Sequence, residues 1–86
     1  MQTIHKFPIA VTHKQTIYLN KEAEPLTVQL QNDAPCLWAK LCTHNDKEAI
    51  NIVMYGTGWS IDENVGKYLG TVQLGDLVFH YFLEQR

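Results

Sequence analysis

The sequence predicts an all-β domain: a small antiparallel β-sandwich or partly open barrel of six to seven short strands, with at most one short helical turn. Two observations carry this. Apolar and polar residues alternate with period two in run after run, while apolar residues spaced i, i+3, i+4 and i+7 never persist beyond a turn or two. Clusters of Asn, Asp, Gly and Pro separate those runs at roughly ten-residue intervals, the punctuation of tight turns.

Residues 3–7 form the first predicted strand, which Pro8 ends because an imino acid cannot serve the ladder. Residues 15–19 turn Ile17 and Leu19 inward and Thr16 and Tyr18 outward. In residues 26–31, Leu26, Val28 and Leu30 share one face, and Thr27, Gln29 and Gln31 the other. Residues 36–42 form the next strand, whose alternation groups Cys36, Trp38, Lys40 and Cys42. We place Trp38 and both cysteines in the core, with Lys40 snorkelling, reaching an edge or pairing with a carboxylate. Residues 49–56 set Ile50, Ile52 and Met54 against Asn51, Val53 and Tyr55. Ser60 and Glu63 then have capping-box spacing, which suggests one helical turn over residues 61–66. A strand at residues 67–74 follows. The last strand, residues 77–83, is apolar on both faces, as expected of a central strand or one buried at an interface. Turns fall at residues 20–25, 32–35, 43–46 and 75–76.

Composition narrows the function classes. The chain has 86 residues, enough for one domain, residues 1–86, and no second core. Apolar residues make up 45% and charged ones 19%, which argues against disorder and hints that a partner or further copies cover some surface. Seven Lys plus Arg against nine Asp plus Glu give a net charge of −2, which disfavours extended nucleic acid. Arg86 is the one arginine, so the usual bidentate phosphate reader is nearly absent. No segment approaches a membrane span, and the N-terminus has no secretory apolar region. We therefore expect a cytoplasmic, reducing setting. Cys36 and Cys42 on one strand would lie ~20 Å apart, beyond any disulfide. No zinc or other metal spacing occurs, so we expect no metal and no cofactor.

Chemistry concentrates in few places. Gly56, Thr57, Gly58 and Trp59 form the most informative segment. Two glycines permit positive φ and let backbone N–H groups approach a small anion, Thr57 adds a hydroxyl, and Trp59 offers a stacking face. It lacks the third glycine of a dinucleotide fingerprint and the Gly-Lys-Thr of a P-loop. Gln29 and Gln31 present amides that can read a purine or carbonyl edge. His80, between Phe79 and Tyr81, needs a partner for its ring nitrogens, and Thr57 and Asp76 are the candidates for a catalytic partner. A structural or ligand-contact role suits it better. His5, His13 and His44 are assigned no chemistry. With one serine, Ser60, and no defensible carboxylate pair, we expect no catalytic residues and no enzyme.

The order of certain residues is familiar. Thr3-Ile4-His5-Lys6-Phe7-Pro8, Gln15, Val28-Gln29-Leu30-Gln31, Pro35-Cys36-Leu37-Trp38-Ala39, Gly56-Thr57-Gly58, Tyr68-Leu69-Gly70-Thr71 and Val78-Phe79-His80 follow one another here. In this the chain resembles a family of short, uncharacterised phage and prophage proteins. The resemblance implies action inside an infected bacterium. Members commonly carry His after Gly-Thr-Gly; here that residue is Trp59, so stacking would replace a histidine's role.

The combined expectation is a non-enzymatic binding protein. It would sequester a small nucleotide-derived immune signal as a counter-defence sponge, using Gly56, Thr57, Gly58, Trp59, Gln29, Gln31 and His80. A domain this small has little interior for a pocket of ~300 Å³, so the site is expected between protomers of a homo-oligomer. The alternative is an inhibitor or assembly accessory that grips a host or phage protein through a strand edge or aromatic patch.

Overall fold

The computed structural model describes residues 1–85; Arg86 lies outside the described residues. The strands are β1 (Gln2–Pro8), β2 (Lys14–Asn20), β3 (Glu24–Gln31), β4 (Ala34–Cys42), β5 (Lys47–Gly56), β6 (Val65–Leu74) and β7 (Leu77–Glu84). They build a two-sheet sandwich: a three-stranded sheet ordered β1-β4-β3 and a four-stranded sheet ordered β2-β5-β7-β6. All strand pairs are antiparallel. None of the described residues forms a helix, so no helix is long and apolar enough to cross a membrane.

Local chemistry sets the turns. Asn32 and Asp33, at φ 53 and 64, are the two central residues of the β3–β4 hairpin. Positive φ at both positions matches the twist of the flanking strands, and Asn and Asp tolerate it better than other side chains. Between β2 and β3 the chain reverses through Glu22 at φ 66.

The inward positions of both sheets form one core around Leu19, Val28, Leu37, Ala39, Ile52, Met54, Leu69, Val72 and Tyr81. Burying each large member contributes about 1.5–3 kcal/mol. Tyr81 is completely buried, and its hydroxyl donates to the Ala10 carbonyl at 3.2 Å, so its polar end is satisfied. The sheets approach most closely where β3 crosses β6. A Cβ on Gly70 (φ 153) would lie 2.3 Å from the Val28 carbonyl oxygen, which only glycine avoids. Beside it, the Lys67 ammonium donates to the Pro25 carbonyl at 2.5 Å.

Several expectations change. No helical turn forms over residues 61–66: the Asp62 carboxylate accepts the Asn64 N–H at 2.9 Å, and the Val65 N–H reaches the Asp62 carbonyl at 3.1 Å. This Asx turn leads straight into β6 and leaves no room for a helix. Leu26 is exposed, because a register shift between Pro25 and Thr27 breaks the alternation of β3. Cys36 is buried at 4% exposure, as expected, but Trp38 and Cys42 are only half-buried, and all three lie on the opposite side of β4 from Leu37, Ala39 and Leu41. The core side of β4 is Leu37, Ala39 and Leu41, and Trp38 lies half-buried on the outer face opposite Lys6 and Thr27. Lys40 marks that face as the polar one and pairs with Glu24 at 3.5 Å, in partial exposure that makes the pair a weak contributor. Both cysteines are free. β7 is central, flanked by β5 and β6, which explains its two apolar faces within one chain.

Candidate functional site

The outer face of the four-stranded sheet carries the site. Val53 and Tyr55 point away from the core on β5, yet they are 3% and 5% exposed. They are covered because residues 57–64, between β5 and β6, fold back over them. Tyr55 helps to hold that loop: its hydroxyl accepts the Asp62 N–H at 3.4 Å. Beneath the loop lies a cleft of about 510 Å³. Val53 and Tyr55 line its base, His13 and Lys14 one flank, and Trp59, Ser60, Asp62 and Asn64 the loop side. Glu84 and Gln85 at the end of β7 complete it.

Five rings form a line across this face. Tyr68 lies 5.3 Å from Phe82, Phe82 lies 6.1 Å from Tyr55, Tyr55 lies 5.4 Å from His13, and His13 lies 6.4 Å from Trp59. Three of these contacts are edge-to-face, the geometry ring quadrupoles favour. His13 is fixed twice over: its carbonyl accepts the Met54 N–H at 2.7 Å, and its Nδ1 lies 2.8 Å from the Met54 carbonyl. A carbonyl only accepts, so Nδ1 bears a hydrogen and donates it.

The Gly-Thr-Gly-Trp turn works differently from the sequence expectation. Of its two glycines, only Gly58 takes a left-handed φ, +90. Gly56 provides space instead, since a Cβ there would fall 2.7 Å from the Trp59 indole. The indole therefore rests on the Gly56 backbone and stays 52% exposed. The backbone cradle for an anion is largely spent within the chain. The Thr57 N–H donates to the Val78 carbonyl at 3.2 Å, and the Trp59 N–H to the Gly56 carbonyl at 3.0 Å. Trp59 also borders a smaller cleft of about 220 Å³ with Thr57 and Asp76.

His80 has both ring nitrogens occupied. Nε2 lies 2.7 Å from the Thr57 hydroxyl and Nδ1 lies 2.8 Å from the Thr71 hydroxyl. Thr71 is bonded in turn to the Tyr68 hydroxyl. Thr57 is thus the partner of His80, and Asp76 has no hydrogen bond to it among the described residues. The arrangement ties the first residue of the loop to the sheet. Among the described residues no carboxylate hydrogen-bonds to His80, so its ring is oriented by the two threonine hydroxyls and not by an acid–histidine pair.

Not all expected residues meet. Gly56, Thr57, Gly58, Trp59 and His80 lie together, but Gln29 and Gln31 lie on β3, on the outer face of the opposite sheet, where the Lys6 ammonium donates to the Gln31 amide oxygen. They cannot share a small ligand with Trp59. The large cleft lies outside the core, under a loop of the same chain. Tyr55, which with Tyr18 and Tyr68 the sequence offers as a residue able to line a groove or an interface, does line this cleft, and His13, Asp62, Asn64 and Glu84 join it there without having been expected. The Asp-x-Asn spacing before β6 and a tyrosine immediately ahead of Gly56 were the available signals. His13 had none, because its partner Met54 is remote in sequence. Among the described residues, no group of three or more His, Cys, Asp or Glu side chains could hold a metal ion.

Fold and site together define a small two-sheet β-sandwich with an aromatic cleft roofed by a loop on one outer face. The chain belongs to the family described as a domain of unknown function, DUF7352, whose model matches residues 1–86. No curated protein and no solved structure matches it.

Proposed function

We propose that this is a non-enzymatic binding protein whose loop-roofed cleft holds a small nucleotide-like molecule. In the setting that the phage and prophage resemblance implies, it acts in the cytoplasm of an infected bacterium. There it serves as a counter-defence sponge that sequesters a nucleotide-derived immune signal. One observation carries this reading: the Trp59 indole is seated on Gly56, half-exposed, and lines a cleft of about 510 Å³ whose base is Tyr55. A flat heterocycle stacks on such a surface, and a cleft of this size accommodates a nucleotide. The saturated hydrogen bonding of His80 suits a residue that positions the loop and supports binding over turnover.

The test is mass spectrometry of small molecules released by heat from freshly purified protein, followed by melting with the identified compound. A ligand at a hundredfold excess over its Kd should stabilise the fold by about 2.7 kcal/mol. Clean protein together with no melting shift across purine and pyrimidine mono- and cyclic dinucleotides would refute the reading.

A second reading has its own observation. Tyr18 on edge strand β2 is 62% exposed, Tyr68 on edge strand β6 53%, and Leu77 at the start of β7 60%. Exposed aromatic residues on edge strands, each paired on one side only, suit a protein partner, or a second copy of the chain, docking by strand addition. Stoichiometric capture of one partner by the wild type but not by Tyr18→Lys would favour it. Light scattering at several concentrations would reveal self-association.

A further inference from the structure

We infer that the cleft recognises the base of its ligand, specifically a base edge with two adjacent N–H donors such as guanine, and leaves the phosphate in solvent. This rests on the reading that the cleft holds a nucleotide-like molecule, and it names the part that is gripped.

Three observations converge. The half-exposed stacking surface of Trp59 is here, with the buried Tyr55 beneath it at the base of the cleft. The usual means of holding phosphate are not: the N–H groups of Thr57 and Trp59 are bonded to the Val78 and Gly56 carbonyls, so the turn offers no continuous anion nest. The charge at the cleft is also wrong for phosphate. Among its described lining residues, the carboxylates Asp62 and Glu84 outnumber the single cation, Lys14. A phosphate beside two carboxylates is repelled, and one exposed ammonium compensates weakly.

Those same carboxylates are suited to a base. An ionised carboxylate accepts only, and its two oxygens match two parallel N–H donors. The Asp62 Oδ1 accepts one backbone N–H, from Asn64, at 2.9 Å, which fixes the group while leaving acceptor capacity free. The N1–H and 2-amino group of guanine form such a donor pair. Inosine lacks the amino group, and uridine flanks its N–H with two carbonyls that a carboxylate repels.

Calorimetry on the full chain tests this with guanosine, inosine, guanosine monophosphate and ribose phosphate. Guanosine should bind within about threefold of its monophosphate, and ribose phosphate at least about thirtyfold more weakly, with little change between about 50 and about 200 mM salt. Inosine should lose about tenfold, the cost of leaving a carboxylate oxygen unpaired. The variant pair Asp62→Asn and Glu84→Gln, both exposed positions, should lose at least about tenfold for guanosine with unchanged melting in at least one of the two. Ribose phosphate binding as tightly as the monophosphate, or guanosine and inosine binding alike, would overturn the inference while leaving a nucleotide site in place. Binding by none of the four compounds would overturn the inference, and the nucleotide reading would fall with it only if the panel of purine and pyrimidine mono- and cyclic dinucleotides also produced no melting shift.

Discussion

The Trp59 indole packs so closely on Gly56 that a Cβ added to that glycine would lie 2.7 Å from both Cε2 and Nε1. The clash is with a half-exposed side chain, which can swing away, and not with backbone. Gly56→Ala should therefore leave the melting temperature nearly unchanged while displacing the indole. The emission of Trp59 should shift, and affinity for the released ligand should fall by about tenfold, the cost of a lost stacking surface. Unchanged affinity with a displaced indole would mean that Trp59 is not part of the grip.

Gly70 is the opposite case. There the obstacle is the Val28 carbonyl at 2.3 Å, a backbone atom of the facing sheet, and φ is 153. Gly70→Ala must separate the sheets where they lie closest. We expect a loss of about 2 kcal/mol or more in denaturant unfolding, against less than about 0.5 kcal/mol for Gly58→Asn, whose Cβ meets open space and whose residue type tolerates left-handed φ.

Thr57 and His80 test the anchoring of the loop. Thr57→Val removes the hydroxyl at 2.7 Å from His80 Nε2 and keeps the shape of the side chain. The half-buried imidazole loses one partner, at a cost of about 0.5–1.5 kcal/mol. Hydrogen exchange should accelerate across residues 57–64 and remain unchanged in β3 and β4. Faster exchange spread over the whole fold would show that the pair stabilises the sandwich generally.

Tyr81 links stability to alkaline pH. Burial raises its phenol above the ordinary value of 10.0. The unfolded chain therefore ionises first, so stability is intact below that value and falls as pH rises through the folded group's higher one. Of the four tyrosines, one should release its proton only with unfolding, visible as phenolate absorbance that coincides with loss of structure. Tyr81→Phe should cost about 1 kcal/mol at neutral pH, from the lost hydrogen bond to the Ala10 carbonyl, which keeps the Gln15 amide as its other donor, yet flatten the alkaline decline. Four independent phenolate titrations in the folded state would contradict this.

Much of the fold was legible because period two is a local signal. Ile17 and Leu19, Val28, and Ile50 to Met54 each declared their inward face by alternation with polar neighbours. The reading slipped where alternation is ambiguous. In β4 both parities contain apolar residues, and Lys40, the one charge, was the true marker of the solvent side. In β3 a bulge after Pro25 altered the parity of Leu26. The site was less legible, since it joins segments distant in sequence. Trp59 and His80 were found by type and neighbourhood, but His13 enters through its pairing with Met54, and Glu84 through the pairing of β7 with β5. The separation of Gln29 and Gln31 from Trp59 follows from sheet membership, which strand alternation does not encode.

The account depends on a small ligand seated against Trp59. Two-dimensional NMR of the isotope-labelled protein during titration with guanosine monophosphate tests this most directly, because the two tryptophans report opposite faces of the molecule. We predict progressive shifts of the Trp59 Nε1–H and of the backbone signals of Tyr55, Asp62 and Asn64, with the Trp38 Nε1–H unmoved. Shifts centred on Trp38, Gln29 and Gln31, or none at millimolar ligand, would contradict it.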